Sequence, residues 1–437
     1  MPDVKGDFIE RSITNYENLS KKFINTSKNY TKQYCSIYLI RLEQMRNILS
    51  VKIKEKWGEE YPIVKLHKIS ETDSEKCIIL GTLFKEQKLK PSIVKQLSEA
   101  NQLLPQPVLS KFTDESDILF IEDELQRYQV TGSLQGDGLV TGITCALLGQ
   151  DNGNGKFCVF DYTFADFHSQ VQRPIFQDDI YVLLLSGLDL VNLEKTNILL
   201  QILTHWLSGL IKLDEEVDSK QITRVLIAGN SVRTVPEKVK PTISMTSRIQ
   251  ESTDTIEAVR IFDRFLSQLC QIIEVDVMPG ENDPSNHILP QQPLHYCMFP
   301  KSSKYNSSNQ VPNPYKCSLN GLQILGTSGQ PIRDILRFSE IQDPLDALEN
   351  CLKWSHLAPT APDTLGCFPF YDKDPFILHE CPHVFFAGNQ EKFGTRIAQG
   401  PVGQQVRLIS IPEFGATHEA CLLNLKNLEC TSISFLS

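Results

Sequence analysis

Three short apolar runs, each ending in a turn that contains glycine, constrain the fold of this 437-residue chain more than any other feature. The runs alternate with segments of helical spacing in this order: Tyr181–Leu185, 197–213, Arg224–Ala228, 254–273 and Val275–Met278. Strands without polar alternation are buried on both faces, which is typical of parallel sheets covered by helices. We therefore predict an α/β unit with functional side chains beyond the carboxyl ends of the strands, at 186–189, 229–233 and 280–283.

The part of the chain before residue 170 has a different pattern, of short strands separated by turns. Apolar or β-branched runs mark these strands: 77–84, 118–121, 129–134, 140–148 and 156–164. The Asn-Gly dipeptides of Asp151–Gly155 supply positive φ angles for a tight hairpin turn. Together with a helical segment predicted at 91–100, this pattern is typical of a small closed barrel of the OB type.

Residues 34–57 have apolar side chains at helical spacing, and Gly58 follows them as a stop signal. We predict an amphipathic helix here, which braces the two domains or contacts a partner. Its basic face, which includes Arg41, is expected to lie in solvent. Residues 1–30 lack periodicity and are predicted to be a flexible leader.

The C-terminal part predicts a second sheet. A stretch rich in Pro and Asn at 279–314 is expected to be a long irregular loop, mobile over 301–310. After it we predict a hairpin at Asn320-Gly321, helices at 331–338 and 343–356, and strands of the second sheet at 383–386, 406–411 and 421–425.

The predicted fold is therefore α/β plus β, an OB-type barrel joined to a β-sandwich flanked by helices. The predicted divisions are a leader at 1–30, a helix at 31–60, an OB-fold domain at 61–175 and a sandwich domain at 176–437.

Charge and composition exclude several classes of function. The net charge of −10 disfavours a primary grip on DNA phosphates or on anionic membranes. No apolar segment is long enough for a membrane span, and the N-terminal segment lacks the apolar stretch of a secretory signal. The 12 cysteines contain no C-x-x-C pair and are expected to be buried thiols in a reducing compartment.

The glycine turns after the strands resemble those of the calcineurin-like metallophosphoesterase fold. Active members place Asp-x-His, Gly-Asp-x-x-Asp, Gly-Asn-His-Asp/Glu and Gly-His-x-His in these turns. The carboxylates and imidazoles hold two metal ions ~3.5–4 Å apart, which activate water and bind phosphate. This chain keeps the glycines and replaces the ligands. The resemblance implies degenerate metal-ligand positions at Ser186, Leu188, Asn230, Arg233, Glu281, Asn282, Asn389 and Glu391.

These substitutions predict a protein without a catalytic site, a metal or a cofactor. Arg233 would oppose metal binding if it pointed inward. The alternative is a divergent metal-dependent nuclease or phosphodiesterase that uses unusual ligands: Asn230, Glu281, Asp283 and Asn389.

Two weaker alternatives concern other parts of the chain. His379, Cys381 and His383 would share one face of an extended segment and could bind zinc, although Pro382 interrupts the segment and no fourth ligand is evident. The aromatic residues of the barrel strands could stack on single-stranded DNA, but few cationic residues flank them.

The order of a small barrel followed by a phosphoesterase-like domain without ligands resembles the B subunits of eukaryotic replicative DNA polymerases. Long stretches resemble the delta branch of that family, and they extend from about residue 34 to the C-terminus. They are Leu103–Pro107, Glu122–Arg127, Val275–Glu281, Asp283-Pro284, Leu289–His295, Ser355-His356, Pro359–Gly366, Glu380–His383 and Gly388-Asn389.

The resemblance implies a non-catalytic accessory subunit of the nuclear replication and repair machinery. Members bind the cysteine-rich C-terminal module of the catalytic polymerase subunit and the accessory subunit that carries a sliding-clamp motif. They are shared with the translesion polymerase zeta, and their contact with DNA is indirect. Archaeal relatives keep the phosphoesterase ligands and act as nucleases, so the substitutions at 186, 188, 230, 282 and 389 imply that this activity is lost here.

Overall fold

The structure, a computed structural model, describes residues 11–26, 31–71, 75–91, 109–213, 217–234 and 245–436. Its strands, in chain order, are β1 (Tyr16–Asn18), β2 (Ile63–Val64), β3 (Cys77–Glu86), β4 (Ile118–Glu122), β5 (Arg127–Gly132), β6 (Thr144–Asp151), β7 (Lys156–Thr163), β8 (Tyr181–Leu185), β9 (Ile222–Ala228), β10 (Glu274–Met278), β11 (Ser308–Gln310), β12 (Tyr315–Leu319), β13 (Leu322–Thr327), β14 (Val384–Gln390), β15 (Gly394–Gln399), β16 (Gln405–Pro412), β17 (Glu419–Asn424) and β18 (Cys430–Ser434).

The α-helices are α1 (Cys35–Trp57), α2 (Leu193–Leu207), α3 (Met245–Leu269), α4 (Gln330–Phe338), α5 (Pro344–Lys353) and α6 (Phe414–Thr417). None of these helices combines the length and the apolar composition that a bilayer crossing requires. The helix predicted at 91–100 falls almost entirely outside the described residues, as does the stretch Leu103–Pro107.

The first sheet closes into a barrel. Its strand order is β2-β3-β4-β5-β7-β6, and β6 returns to pair antiparallel with β3. The β6–β7 hairpin turns where the Asn-Gly dipeptides predicted it, with Asn154 at φ +56° and Gly155 at φ +73°. The short strand β2, which pairs parallel with β3, had no clear sequence signal.

Two further sheets pack face to face. One has the order β11-β10-β9-β8-β17-β18, and the other has the order β1-β12-β13-β14-β16-β15. Val182 and Leu184 of β8 face the opposing sheet, whereas Leu183 and Leu185 face helices α2 and α3. This double burial explains why the strand is apolar throughout, and it produces the predicted sandwich flanked by helices.

The second sheet differs from the prediction in one strand. Residues 421–425 were assigned to it, but β17 pairs antiparallel with β8 of the first sheet. An apolar run predicts burial and does not specify which sheet a strand joins. Strands β15 and β18 had not been predicted.

The loop predicted to be mobile at 301–310 is tied to the sandwich. Backbone N–H groups of Lys301 and Ser302 donate to the carboxylate of Asp263 on α3, and Ser302 is completely buried. Strand β11 then pairs parallel with β10. Composition suggested mobility because these bonds join residues far apart in the sequence.

The predicted flexible leader is wrong for the N-terminal arm, which we define as residues 11–26. Strand β1 pairs antiparallel with β12 and forms the edge of the second sheet. The arm is also held by Phe23, which is completely buried. Polar composition concealed this, because a three-residue edge strand is too short to give a periodic pattern.

Helix α1 lies between the barrel and the sandwich, and it ends at Gly58, which adopts φ +64°. Its Met45 and Leu49 pack against barrel residues and Ile377, so the helix braces the two domains. Arg41 is completely buried, and its guanidinium donates to Asp374 Oδ2 (2.7 Å). The prediction that Arg41 lies in solvent is therefore wrong.

Candidate functional site

The predicted site lies at the carboxyl ends of the strands, where the two sheets of the sandwich meet. The turns after β8 and β9 are joined by Gly187 N, which donates to Gly229 O (2.9 Å). The turns after β9 and β10 are joined by Asn282 N, which donates to Asn230 Oδ1 (3.0 Å). The turn formed by the end of β14 meets that of β8, because Asn389 N donates to Ser186 Oγ (2.8 Å). Four of the eight predicted positions therefore come together.

Asn389 and Ser186 connect the two sheets. Asn389 Nδ2 donates to the carbonyl oxygens of Ala228 (3.0 Å), at the end of β9, and Ser328 (2.7 Å), after β13. Ser186 Oγ, which accepts from Asn389 N, donates to Pro412 O (3.0 Å) at the end of β16. Both side chains are buried. Their polar groups therefore satisfy strand-end backbone groups of both sheets.

Asn230 and Asn282 close the neighbouring turns. Asn230 is completely buried with φ +53°, a left-handed conformation that asparagine adopts more readily than most residues. Asn282 Nδ2 donates to Thr234 O (2.6 Å). The two amides thus stabilise turn geometry, and neither points an acceptor into an open cavity.

Asp283, a ligand in the nuclease alternative, is also committed to the backbone. Its carboxylate accepts from Val232 N (2.9 Å) and Gly280 N (2.8 Å), and it is almost completely buried. Burial raises the pKa of Asp283, while the backbone N–H groups around it oppose that rise. The carboxylate oxygens are occupied by the turn itself.

The other four predicted positions point elsewhere. Leu188 is packed in the apolar core beneath helices α2 and α3. Arg233 donates to Thr255 Oγ1 on α3 (3.0 Å), and exposed Glu281 pairs with Arg333 (2.9 Å). Exposed Glu391 completes this group. These side chains do not join the buried cluster.

A buried amide network, which the sequence analysis missed, supports the site from below. Gln291 Oε1 accepts from Asn313 Nδ2 (2.8 Å) and from Gln330 Nε2 (2.8 Å), and Asn313 Nδ2 also lies 2.9 Å from Ser328 Oγ. Gln291 and Asn313 are completely buried. Only Gln291 had a signal, its place in the stretch Leu289–His295, because the partners of the network are distant in sequence.

The residues present do not fit the two metal ions that the resemblance to the phosphoesterase fold implies. The buried atoms that lack a partner are Asn230 Nδ2, Ser231 Oγ and Asn389 Oδ1. This set combines donor and acceptor groups, as an ordered water requires, and includes no carboxylate or imidazole. Within the described part of the chain, no group of three His, Cys, Asp or Glu side chains could hold a metal ion.

The zinc alternative at 379–383 fails on the geometry of His383. Its Nδ1 accepts from Gln323 N (2.9 Å), and its Nε2 lies 2.9 Å from Val171 O. Both ring nitrogens are therefore occupied. Burial also raises the pKa of the Cys381 thiol to about 11, which disfavours the thiolate that a metal needs.

The barrel aromatics carry one cation that the sequence analysis did not place. The guanidinium of Arg127 lies 4.2 Å from the ring centroid of Phe84 and 5.5 Å from that of Phe120. The same group pairs with Glu122 (2.7 Å). Because the charge is already neutralised, this arrangement gives little support to stacking on single-stranded DNA.

Comparison with known proteins identifies both parts of the chain. The model of the DNA polymerase delta subunit OB-fold domain matches residues 33–162, which confirms the predicted OB barrel. The model of the B subunit of DNA polymerase alpha/epsilon matches residues 182–395, the part that contains most of the strand-end site.

Full-length relatives agree with these matches. A Drosophila melanogaster protein described as DNA polymerase delta subunit 2 is 40% identical over 97% of this chain and 98% of its own length. An Arabidopsis thaliana DNA polymerase delta small subunit is 40% identical, over 98% of this chain and 96% of its own. The Saccharomyces cerevisiae DNA polymerase delta small subunit is 33% identical, over 93% and 90% respectively.

Proposed function

Because this chain belongs to the family of DNA polymerase delta small subunits, we propose that it is a non-catalytic scaffold of that polymerase in DNA replication and repair. It links the cysteine-rich C-terminal module of the catalytic subunit to the accessory subunit that binds the sliding clamp. It also serves the translesion polymerase zeta, and it acts in the nucleus. The names of the relatives support the accessory role, and the connecting role is our inference.

The hydrogen bonding of the strand-end site carries this proposal. Ser186, Asn230 and Asn389 stand where active phosphoesterases need ligands, and each bonds to backbone groups of a neighbouring strand or turn. A side chain committed in this way stabilises the sandwich and is not available to a metal or a substrate. The net charge of −10 further supports indirect contact with DNA.

The absence of catalysis is tested with the purified full chain, Mn²⁺ and both a chromogenic phosphodiester and single-stranded DNA. We expect no turnover above that of a Glu391→Ala control, which changes only an exposed side chain of the site. Turnover by the unmodified chain that an Asn230→Ala substitution abolishes would overturn the proposal, because a contaminating nuclease would not respond to that change.

The connecting role is tested by three-component capture. With the C-terminal module of the catalytic subunit immobilised, the clamp-binding subunit should be retained only when the full chain is present. The control omits the chain. Retention without it, or failure of the correctly folded chain to bind either component, would contradict the scaffold role.

A further inference from the structure

A groove of about 850 Å³ lies on the side of the sandwich away from the strand-end site's turns and is not part of that site. Its walls are the N-terminal arm from Leu19 to Thr26, the β12–β13 hairpin and the loop over residues 368–380. Apolar side chains line part of it: Leu19, Ile24, Leu325, Phe368, Phe370 and Leu378. The groove exists because the arm docks on the second sheet.

Lysine side chains converge on this groove, although the chain as a whole is acidic. They are Lys21, Lys22, Lys316 and Lys373. Lys316 pairs with Glu380 (3.2 Å). In the described part of the chain, Lys22 has no carboxylate partner, and its Nζ donates only to the carbonyl of Ile377 (3.2 Å). The groove therefore contains more positive than negative charge.

Lys22 is the most informative of these lysines. Burial lowers the pKa of its ammonium group to about 8, and repulsion by Lys316 and Lys373 adds to this, while Asp374 and Glu380 oppose it. The pKa of His379, which shares the groove, is also lowered by burial and by Lys22. A buried cation without an ion-pair partner is unfavourable, and an anion bound in the groove would relieve that cost.

We propose that this groove binds an acidic peptide segment of a partner protein, with an apolar side chain on the groove floor and carboxylates at the lysines. The argument is charge complementarity combined with the apolar lining. The groove's own walls carry the inference, and it does not depend on which polymerase subunits the chain connects.

The acidic residues of the groove favour a peptide over a nucleic acid strand. Asp372 and Glu380 lie in the same lining as the lysines. A single strand brings a phosphate at every nucleotide, and some would face these carboxylates. A peptide can place its carboxylates only beside the lysines, so it avoids this repulsion.

The proposal is tested by fluorescence anisotropy with the full chain and a labelled Glu-Asp-Glu-Phe-Glu-Asp peptide at low salt. We expect binding that a Lys22→Met substitution weakens by at least about tenfold, because one charge-assisted contact is lost. The matched control is Lys304→Glu, which changes an exposed lysine outside the groove and should leave binding unchanged.

A second readout separates binding from a purely structural role of Lys22. Removing an unpaired buried charge should leave the free energy of unfolding unchanged or raise it, so Lys22→Met should fold normally and still lose the peptide. Binding should also weaken as the pH rises through about 8, where Lys22 loses its proton.

Three outcomes would overturn the proposal. One is the absence of peptide binding, and another is binding that Lys22→Met and Lys304→Glu affect equally. The third is tighter binding of a labelled single-stranded oligonucleotide that competes at the same groove, which would assign the groove to nucleic acid. Because the titration needs no other polymerase subunit, its failure would leave the scaffold proposal untouched.

Discussion

An asparagine side chain has both a donor and an acceptor, whereas a carboxylate has only acceptors, and this difference decides what the strand-end positions can do. Asn389 donates to two backbone carbonyl oxygens, which a carboxylate could not do. Asn230 accepts from the backbone N–H of Asn282 within a left-handed turn. At the scale of single residues, the former ligand positions have become connections between strands.

Replacing Asn389 should therefore weaken the whole sandwich. An Asn389→Leu substitution leaves the carbonyl oxygens of Ala228 and Ser328 buried without this donor, and we expect a loss of about 3 kcal/mol in the free energy of unfolding. Urea denaturation measures it. The control, Glu391→Ala, changes an exposed neighbour, and an equal loss in both variants would contradict the assignment.

His356 should make stability depend on pH. It is buried, with Nε2 3.0 Å from Asp374 Oδ2, and burial and the Arg41 charge lower the pKa of His356 to about 4 from an ordinary 6.5, against the effect of Asp374. Between these values the unfolded chain binds a proton that the folded chain does not. Stability should therefore fall by about 3 kcal/mol as the pH drops from 6.5 to 4.

Urea denaturation across this pH range, compared with a His356→Gln variant, measures the effect. The variant should show a flatter dependence, whereas His287→Gln, at an exposed histidine, should behave like the unmodified chain. An unchanged slope in His356→Gln would show that other groups cause the loss. The carboxylate of Asp374 acts at lower pH: burial would raise its pKa, but Arg41 and His356 outweigh burial and hold it below the usual range.

At the scale of elements, short segments do more than their length suggests. Strand β1 has only three residues, yet it covers the edge of the second sheet. Its Tyr16 ring lies 4.0 Å from the guanidinium of Arg224, and Tyr315 OH donates to Asp276 (2.7 Å) beside it. Covering the edge prevents β12 from pairing with another chain.

The anchor of this arm can be tested with Phe23→Ala. Phe23 is completely buried in the core that the barrel shares with the second sheet, so we expect a loss of about 3–5 kcal/mol in the free energy of unfolding. Loosening the arm should also promote self-association, measured by light scattering. The control is Ile24→Ala, at a side chain that is 39% exposed, and an equal effect there would contradict the anchoring role.

At the scale of the whole molecule, barrel and sandwich share one core. A single apolar cluster contains Leu147 and Phe157 of the barrel together with Phe385 and Leu408 of the second sheet. Across the same junction, Arg41 of α1 donates to Pro359 O (2.9 Å) and to the Asp374 carboxylate. The two domains are therefore expected to depend on each other for stability.

This continuity predicts a single calorimetric unfolding transition for the full chain. An Arg41→Met substitution leaves the buried Asp374 without its guanidinium partner and should lower the free energy of unfolding by about 3–5 kcal/mol. Lys304→Glu serves as the control. Two transitions in the unmodified chain, separated in temperature, would mean that the domains are independent.

Patterns that depend on neighbouring residues predicted much of this fold. The buried strands β8, β9 and β10, the Asn-Gly hairpins and the stop at Gly58 all follow from local periodicity or from backbone conformations that only certain residues adopt easily. The turns after the strands were also placed correctly, so the location of the strand-end cluster could be predicted. The domain boundary at 175 and the nuclear location stay predictions.

The sequence by itself determined which segments are strands and helices, and which ligand types are missing from the strand ends. Only the tertiary structure decided that Arg41 is buried, that β17 joins the first sheet and that Asn313 and Gln330 meet Gln291. The physical reason is that periodicity records how much of a side chain is buried, whereas a hydrogen bond or ion pair between distant residues depends on the position of both partners in space.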